Sequence, residues 1–200
     1  MAIRRASWLV VVLAAAGCAS AGGGGAPATH TPEEEQAAWM KAGTPGPQHQ
    51  RFAQHAGNWT VEGSMWMAPD APATAFKGKA RLQVVMESRY EIQDFEGDFM
   101  GMPFHGMGVT AYNNATGKYE GSWWDSMSTM IMQMGGTEDA QGTITLESEF
   151  ADPFGERIRM RHVMRDDGPD HIAMEAYCFA TPAQGGAEYK CMELHYRRAK

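Results

Sequence analysis

The 200-residue chain is 44% hydrophobic and 20% charged, with a formal net charge of −7. That balance supports one domain with a sizeable core and excludes both a multi-domain machine and a polytopic membrane protein. Its 17 basic residues form no cluster able to follow a nucleic-acid backbone, which excludes nucleic acid as a partner.

The chain opens with Arg4 and Arg5, followed by an apolar stretch at residues 7–16 (SWLVVVLAAA). This stretch is too short to span a bilayer, and a Gly/Ala/Pro-rich segment follows it, so it reads as a cleaved signal. Residues 13–18 (LAAAGC) resemble the bacterial lipoprotein cleavage box. The Leu of that box is displaced here: Ala15 stands three before Cys18, and Leu13 lies two further back. The resemblance implies a signal peptide at residues 1–17 and lipidation of Cys18, giving a membrane anchor. Ala19, in place of Asp, points to the periplasmic face of the outer membrane. Ordinary cleavage, giving a soluble periplasmic or secreted protein, is the alternative.

Residues 18–45 read as the lipidated Cys and a tether. Residues 19–32 (ASAGGGGAPATHTP) cannot bury enough surface to offset their ordering entropy. Residues 33–41 can form a short helix behind Pro32, with acids in its first turn. Residues 48–56 can make two more turns ended by Gly57, with Phe52 as the apolar contact. The domain proper is expected at residues 46–200.

From residue 57 the pattern is that of strands. Residues 59–67 put Trp59, Val61, Gly63, Met65 and Met67 on one face. In residues 75–86, Phe76, Gly78, Ala80, Leu82 and Val84 alternate with Lys77, Lys79, Arg81 and Gln83. Further strands are expected at 87–95, 102–112, 118–125, 128–134, 142–150, 156–165, 171–180 and 189–197. Residues 113–117 (NNATG), 152–153, 166–169 and 181–186 supply the turns. About ten short antiparallel strands must close or sandwich. The expected fold is all-β: an up-and-down barrel of about ten strands, lipocalin-like, with a short N-terminal helix. A two-sheet sandwich is the alternative.

Gly57-Asn58-Trp59 resembles the G-x-W signature of lipocalin-like barrels. In that superfamily the Trp plugs the closed end and is often covered by an Arg near the last strand. The resemblance makes Gly57 and Trp59 structural, with Arg197 or Arg198 as the cover. Three longer runs, residues 101–108 (GMPFHGMG), 112–119 (YNNATGKY) and 124–128 (WDSMS), together with the closing 192–197 (MELHYR), resemble the bacterial DUF1579 family. The resemblance covers residues 48–198. Asn113 stands where many members carry Asp, and either side chain can bond back to a turn backbone. The family implies a fold and no established activity.

Candidate ligand-binding residues are fewer. Trp124 and Asp125 sit in an aromatic-polar patch at the end of a strand, where Asp125 is either a ligand-orienting carboxylate or the cap of an Asx turn. His105 is a candidate ligand to haem or to a polar group; the bland reading is a surface histidine. Met130, Met132 and Met134 alternate onto one face. Thioethers can hold Cu(I), but they are also adaptable lining for an apolar cavity, the preferred reading. No HExxH, Cys/His cluster or nucleophile elbow is present, so neither a metal, a cofactor nor an enzyme is expected. Cys178 and Cys191 flank the last turn. A hairpin centred between Gln184 and Gly185 places them opposite each other as a candidate disulfide.

The expected function is that of an exported lipoprotein binding or carrying a small hydrophobic ligand in a barrel lumen. A non-catalytic cell-envelope interaction domain is the alternative, and a haem-binding barrel using His105 the third reading. Composition leaves the oligomeric state open.

Overall fold

The computed structural model describes residues 30–179 and 186–200. The signal segment, Cys18 and residues 19–29 of the tether lie outside the described residues. Two helices, α1 (Pro32–Ala42) and α2 (Pro47–His55), precede ten strands. These are β1 (Gly57–Met65), β2 (Thr74–Val85), β3 (Tyr90–Phe99), β4 (Met102–Asn113), β5 (Lys118–Asp125), β6 (Met132–Glu138), β7 (Ile144–Ala151), β8 (Arg157–Asp166), β9 (His171–Phe179) and β10 (Glu188–Arg198). Each strand pairs antiparallel with the next, and β10 returns to β1 from Trp59↔Arg198 to Met65↔Met192. The sheet is therefore a closed up-and-down barrel, not a sandwich, and closure leaves no free edge.

Meander topology gives the barrel two unlike ends. Tight turns at residues 86–89, 114–117, 139–142 and 167–170 gather at the end where α2 enters. The connections at residues 66–73, 100–101, 126–131 and 152–156 gather at the other end.

Helix α1 starts with a reciprocal cap. Glu34 N donates to Thr31 Oγ1 at 3.2 Å, and Thr31 N donates to Glu34 Oε2 at 2.8 Å. It buries no residue. The link after it is fixed to the barrel: Asn114 Nδ2 donates to the carbonyls of Ala42 and Thr44, and the Arg89 guanidinium donates to that of Gly43. Helix α2 buries His49 and Phe52. Phe52 packs with Tyr119, Ile144 and Leu146, so α2 is the plug of one barrel end. Burying such a ring contributes about 2–3 kcal/mol.

Trp59 is 1% exposed, and its Nε1 donates to His55 O at 2.9 Å. The Arg198 guanidinium lies 4.4 Å from the Trp59 ring centroid. It also donates to the carbonyls of Gln54 and Ala56 at the end of α2, and to Asp170 Oδ1. One cation thus covers the indole and satisfies the last carbonyls of the plug helix. Of the two candidate arginines, Arg198 has this place; Arg197 is exposed on the outer face.

Three departures from the sequence pattern bear on the site and the closing hairpin. The second turn spans residues 86–89, with Met86, Glu87 and Ser88 all at positive φ (51°, 56° and 70°), and β3 runs on to Phe99. The sixth strand begins at Met132, not at 128. Asp125 Oδ1 accepts from Met127 N at 2.9 Å, and this Asx turn draws the chain into a loop first. In the last hairpin Cys178 pairs with Tyr189, and the register shifts between Lys190 and Met192, leaving Cys191 as the bulged residue. The two cysteines are bonded, with Cα atoms 5.6 Å apart. The bulge, not direct opposition, brings them together.

Candidate functional site

Alternation along each strand decides which side chains face the barrel interior. The interior is not filled. It holds a cavity of about 360 Å³, within the range of small-molecule sites. Inward residues such as Phe76, Met164 and Met174 line it and are only half-buried, as they would be around an open lumen.

The walls differ in kind. On the β2–β4 side, Phe76, Phe95 and Phe104 form an edge-to-face chain, with centroids 6.5 and 5.8 Å apart. Across from them stand Met132 and Met134 on β6, Met160 and Met164 on β8, Met174 on β9 and Met192 on β10. Rigid rings face adaptable thioethers, a surface that can fit several apolar shapes. Trp123 joins the aromatic side; a Cβ at Gly106 would collide with its ring, so that glycine makes room for it.

Polar groups concentrate at the plugged end. Arg51 of α2 pairs with Glu138 at 3.0 Å and with Asp166 at 2.7 Å. His55 meets Glu91 through Nδ1 at 2.9 Å and Asp166 through Nε2 at 3.1 Å. Tyr119 donates to Glu138 at 2.9 Å. Burial opposes a charge on His55, but the bonds to Asp166 and Glu91 outweigh it and raise its pKa to about 9. Burial also opposes ionisation of Asp166, and His55 and Arg51 overcome it, holding the carboxyl below its usual range. Nearby, Gln93 donates to the Tyr196 hydroxyl at 3.0 Å, and burial pushes that hydroxyl up to about 12.

Midway along β8, His162 is 8% exposed and lines the lumen. Its Nε2 lies 3.2 Å from Ser148 Oγ. Burial lowers its pKa to about 4, so it is neutral at ordinary pH. A histidine that weakly basic is a poor acceptor for a serine proton, and no carboxylate meets its other nitrogen among the described residues.

The sequence candidates fall on both sides of the wall. Met130, Met132 and Met134 all line the lumen, Met130 from the loop before β6. Asp125 lines it at the end away from α2, accepting from Trp123 Nε1 at 3.0 Å as well as from Met127 N. His105 and Trp124 do not line it. Phe104, Gly106 and Gly108 take the inner positions of β4, so His105 faces out and bonds Asp94 at 2.7 Å. Trp123 and Asp125 take the inner positions of β5, so Trp124 faces out and is 37% exposed. This removes the haem reading built on His105. The sequence reading missed Arg51, His55, Glu91, Gln93, His162, Asp166 and Tyr196. For His162 a signal existed: it alternates in phase with Met160 and Met164.

The profile of the family described as "Protein of unknown function (DUF1579)" matches residues 44–198. The chain belongs to the DUF1579 family. For this DUF1579 protein no curated protein sequence matches. Among solved structures, one titled "Structure of EF1p2_mFAP2b bound to DFHBI" is similar at 11% identity and a TM-score of 0.44. The likeness covers 76% of this chain and 98% of that one. Among the described residues of this DUF1579 barrel, no group of three or more His, Cys, Asp or Glu is placed to hold a metal ion.

Proposed function

We propose that this protein is an exported lipoprotein whose barrel binds or carries a small hydrophobic molecule. The observation that carries the reading is the unfilled lumen, walled by Phe on one side and Met on the other and plugged at one end by α2. Support for export comes from the signal-like residues 1–17 and the lipoprotein-like box before Cys18. The chain reaches the barrel at its plugged end, so an anchor at Cys18 would leave the mouth free to exchange ligand.

Native mass spectrometry of the protein purified gently from its own host tests this reading. A stoichiometric apolar molecule, released on unfolding and recovered in organic solvent, is the expected result. A clean apo mass, with no uptake of apolar compounds on titration, would overturn it. An interaction domain is the second reading, favoured by apolar side chains around the mouth: Met67, Met100, Met127, Ile131 and Phe154 are exposed, Phe154 at 91%. Co-purification of a protein partner with an empty lumen would select that reading.

A further inference from the structure

We propose that the lumen takes an uncharged amphiphile head-first: an apolar alcohol, or a molecule with one comparable hydrogen-bonding group, whose polar end meets His162 Nδ1 while its tail runs toward the mouth. This rests on the lumen-binding reading above and names the ligand class for it.

Carboxylates stand at both ends of the cavity. The mouth half is lined by Met65, Phe76, Phe99, Phe104 and Met192, with Asp98 and Asp125 at its rim, whereas Glu91, Gln93, Asp166 and Tyr196 lie toward the plug. A tail directed toward the plug would run against the paired charges of the floor.

His162 sets where the polar end sits. It is more than nine-tenths buried, and its Nε2 is engaged by Ser148. Its Nδ1 makes no hydrogen bond among the described residues. His162 lines the lumen, so a bound molecule able to reach that nitrogen gains a hydrogen bond in apolar surroundings. The Ser148 hydroxyl can turn either way. If it donates to Nε2, Nδ1 carries the proton and donates to a ligand carbonyl. If it accepts from Nε2 and turns its own proton toward Met160 O at 3.5 Å, Nδ1 accepts from a ligand hydroxyl. Both arrangements are neutral.

Charge on the floor sets the ionisation state of the ligand. The floor holds two cations, Arg51 and His55, against three carboxylates, Glu91, Glu138 and Asp166. Each cation already faces two of those carboxylates. A fourth carboxylate, from a fatty-acid anion, would be desolvated beside a site that is negative on balance. The floor therefore selects against the anion that would otherwise suit an apolar tunnel.

The test is calorimetric titration of the purified protein near neutral pH with three ligands of one chain length: decan-1-ol, decanoate and decane. The alcohol is expected to bind about tenfold or more tighter than either of the others, the worth of one buried hydrogen bond. His162→Leu keeps the lumen wall apolar and should erase the margin over decane. Ser148→Ala, a milder change, should narrow it, with thermal melts confirming that both variants fold. Decanoate binding as tightly as the alcohol, or a margin over decane that survives His162→Leu, overturns the proposal. Failure of all three ligands to bind overturns the lumen reading beneath it as well, and so separates the two.

Discussion

Two histidines in one barrel are pulled in opposite directions by their surroundings, and stability should record both. His55 is held charged, with its pKa raised from 6.5 to about 9. Its contribution is complete below pH 6.5 and is lost as the pH rises through about 9. His162 is held neutral, lowered from 6.5 to about 4. The unfolded chain takes up a proton there that the fold refuses, so stability falls as the pH drops from 6.5 toward about 4. Each limb is worth on the order of 3 kcal/mol. Urea melts stepped from mildly acid to alkaline pH should show a maximum near pH 6.5. His162→Gln should flatten the acid side and His55→Gln the alkaline side; an unchanged acid limb in His162→Gln would contradict the assignment. Arg198 carries a different kind of load. Arg198→Met removes the cation over Trp59 and the donors to Gln54 and Ala56, and should cost about 1–3 kcal/mol. Arg198→Lys should recover only part, because an ammonium cannot form the planar fork. Thermal melts with Trp fluorescence read both.

The elements show why much of the barrel was legible and some of it was not. Strand β2 could be read outright, because Lys77, Lys79 and Arg81 alternate with Phe76, Gly78 and Ala80 and nothing else competes. The start of β6 could not. Residues 128–131 are as strand-like as those after them, and the turn bonds at Asp125 and Ser126 divert the chain into a loop. The Cys178–Cys191 pair was legible as a bond but not in its register, because the bulge at Cys191 depends on how β10 meets both β9 and β1. Cysteines 13 residues apart close a short loop, so Cys178→Ser with Cys191→Ser should cost about 3 kcal/mol in a urea melt. A loss below a few tenths would mean that the final hairpin holds its place without the staple. The α2 plug depends most on one side chain. Phe52→Ala should cost about 3–5 kcal/mol and loosen the floor, detectable as faster amide exchange at Tyr119 and Leu146.

At the scale of the molecule, a closed meander gives a continuous wall and two unlike ends, one plugged by α2, from one repeated pattern. Period two marks which residues share a face, and closure decides which face is inside. That is why the Met130, Met132 and Met134 stripe could be read from sequence, while His105 stayed open between a lumen ligand and a surface histidine until closure put it outside. The charged floor was beyond reach for another reason. Arg51, His55, Glu91, Glu138 and Asp166 come from α2, β3, β6 and β8, and no spacing in the chain joins them. The proposed role of the lumen is to bind an apolar molecule. Fluorescence titration with the neutral probe N-phenyl-1-naphthylamine, on the native protein and on a lumen-filled Met174→Trp variant, checks it. Saturable one-to-one enhancement is expected with the native protein, and its loss in a variant that still melts cooperatively. Equal enhancement in the filled variant, or none in either, would contradict it.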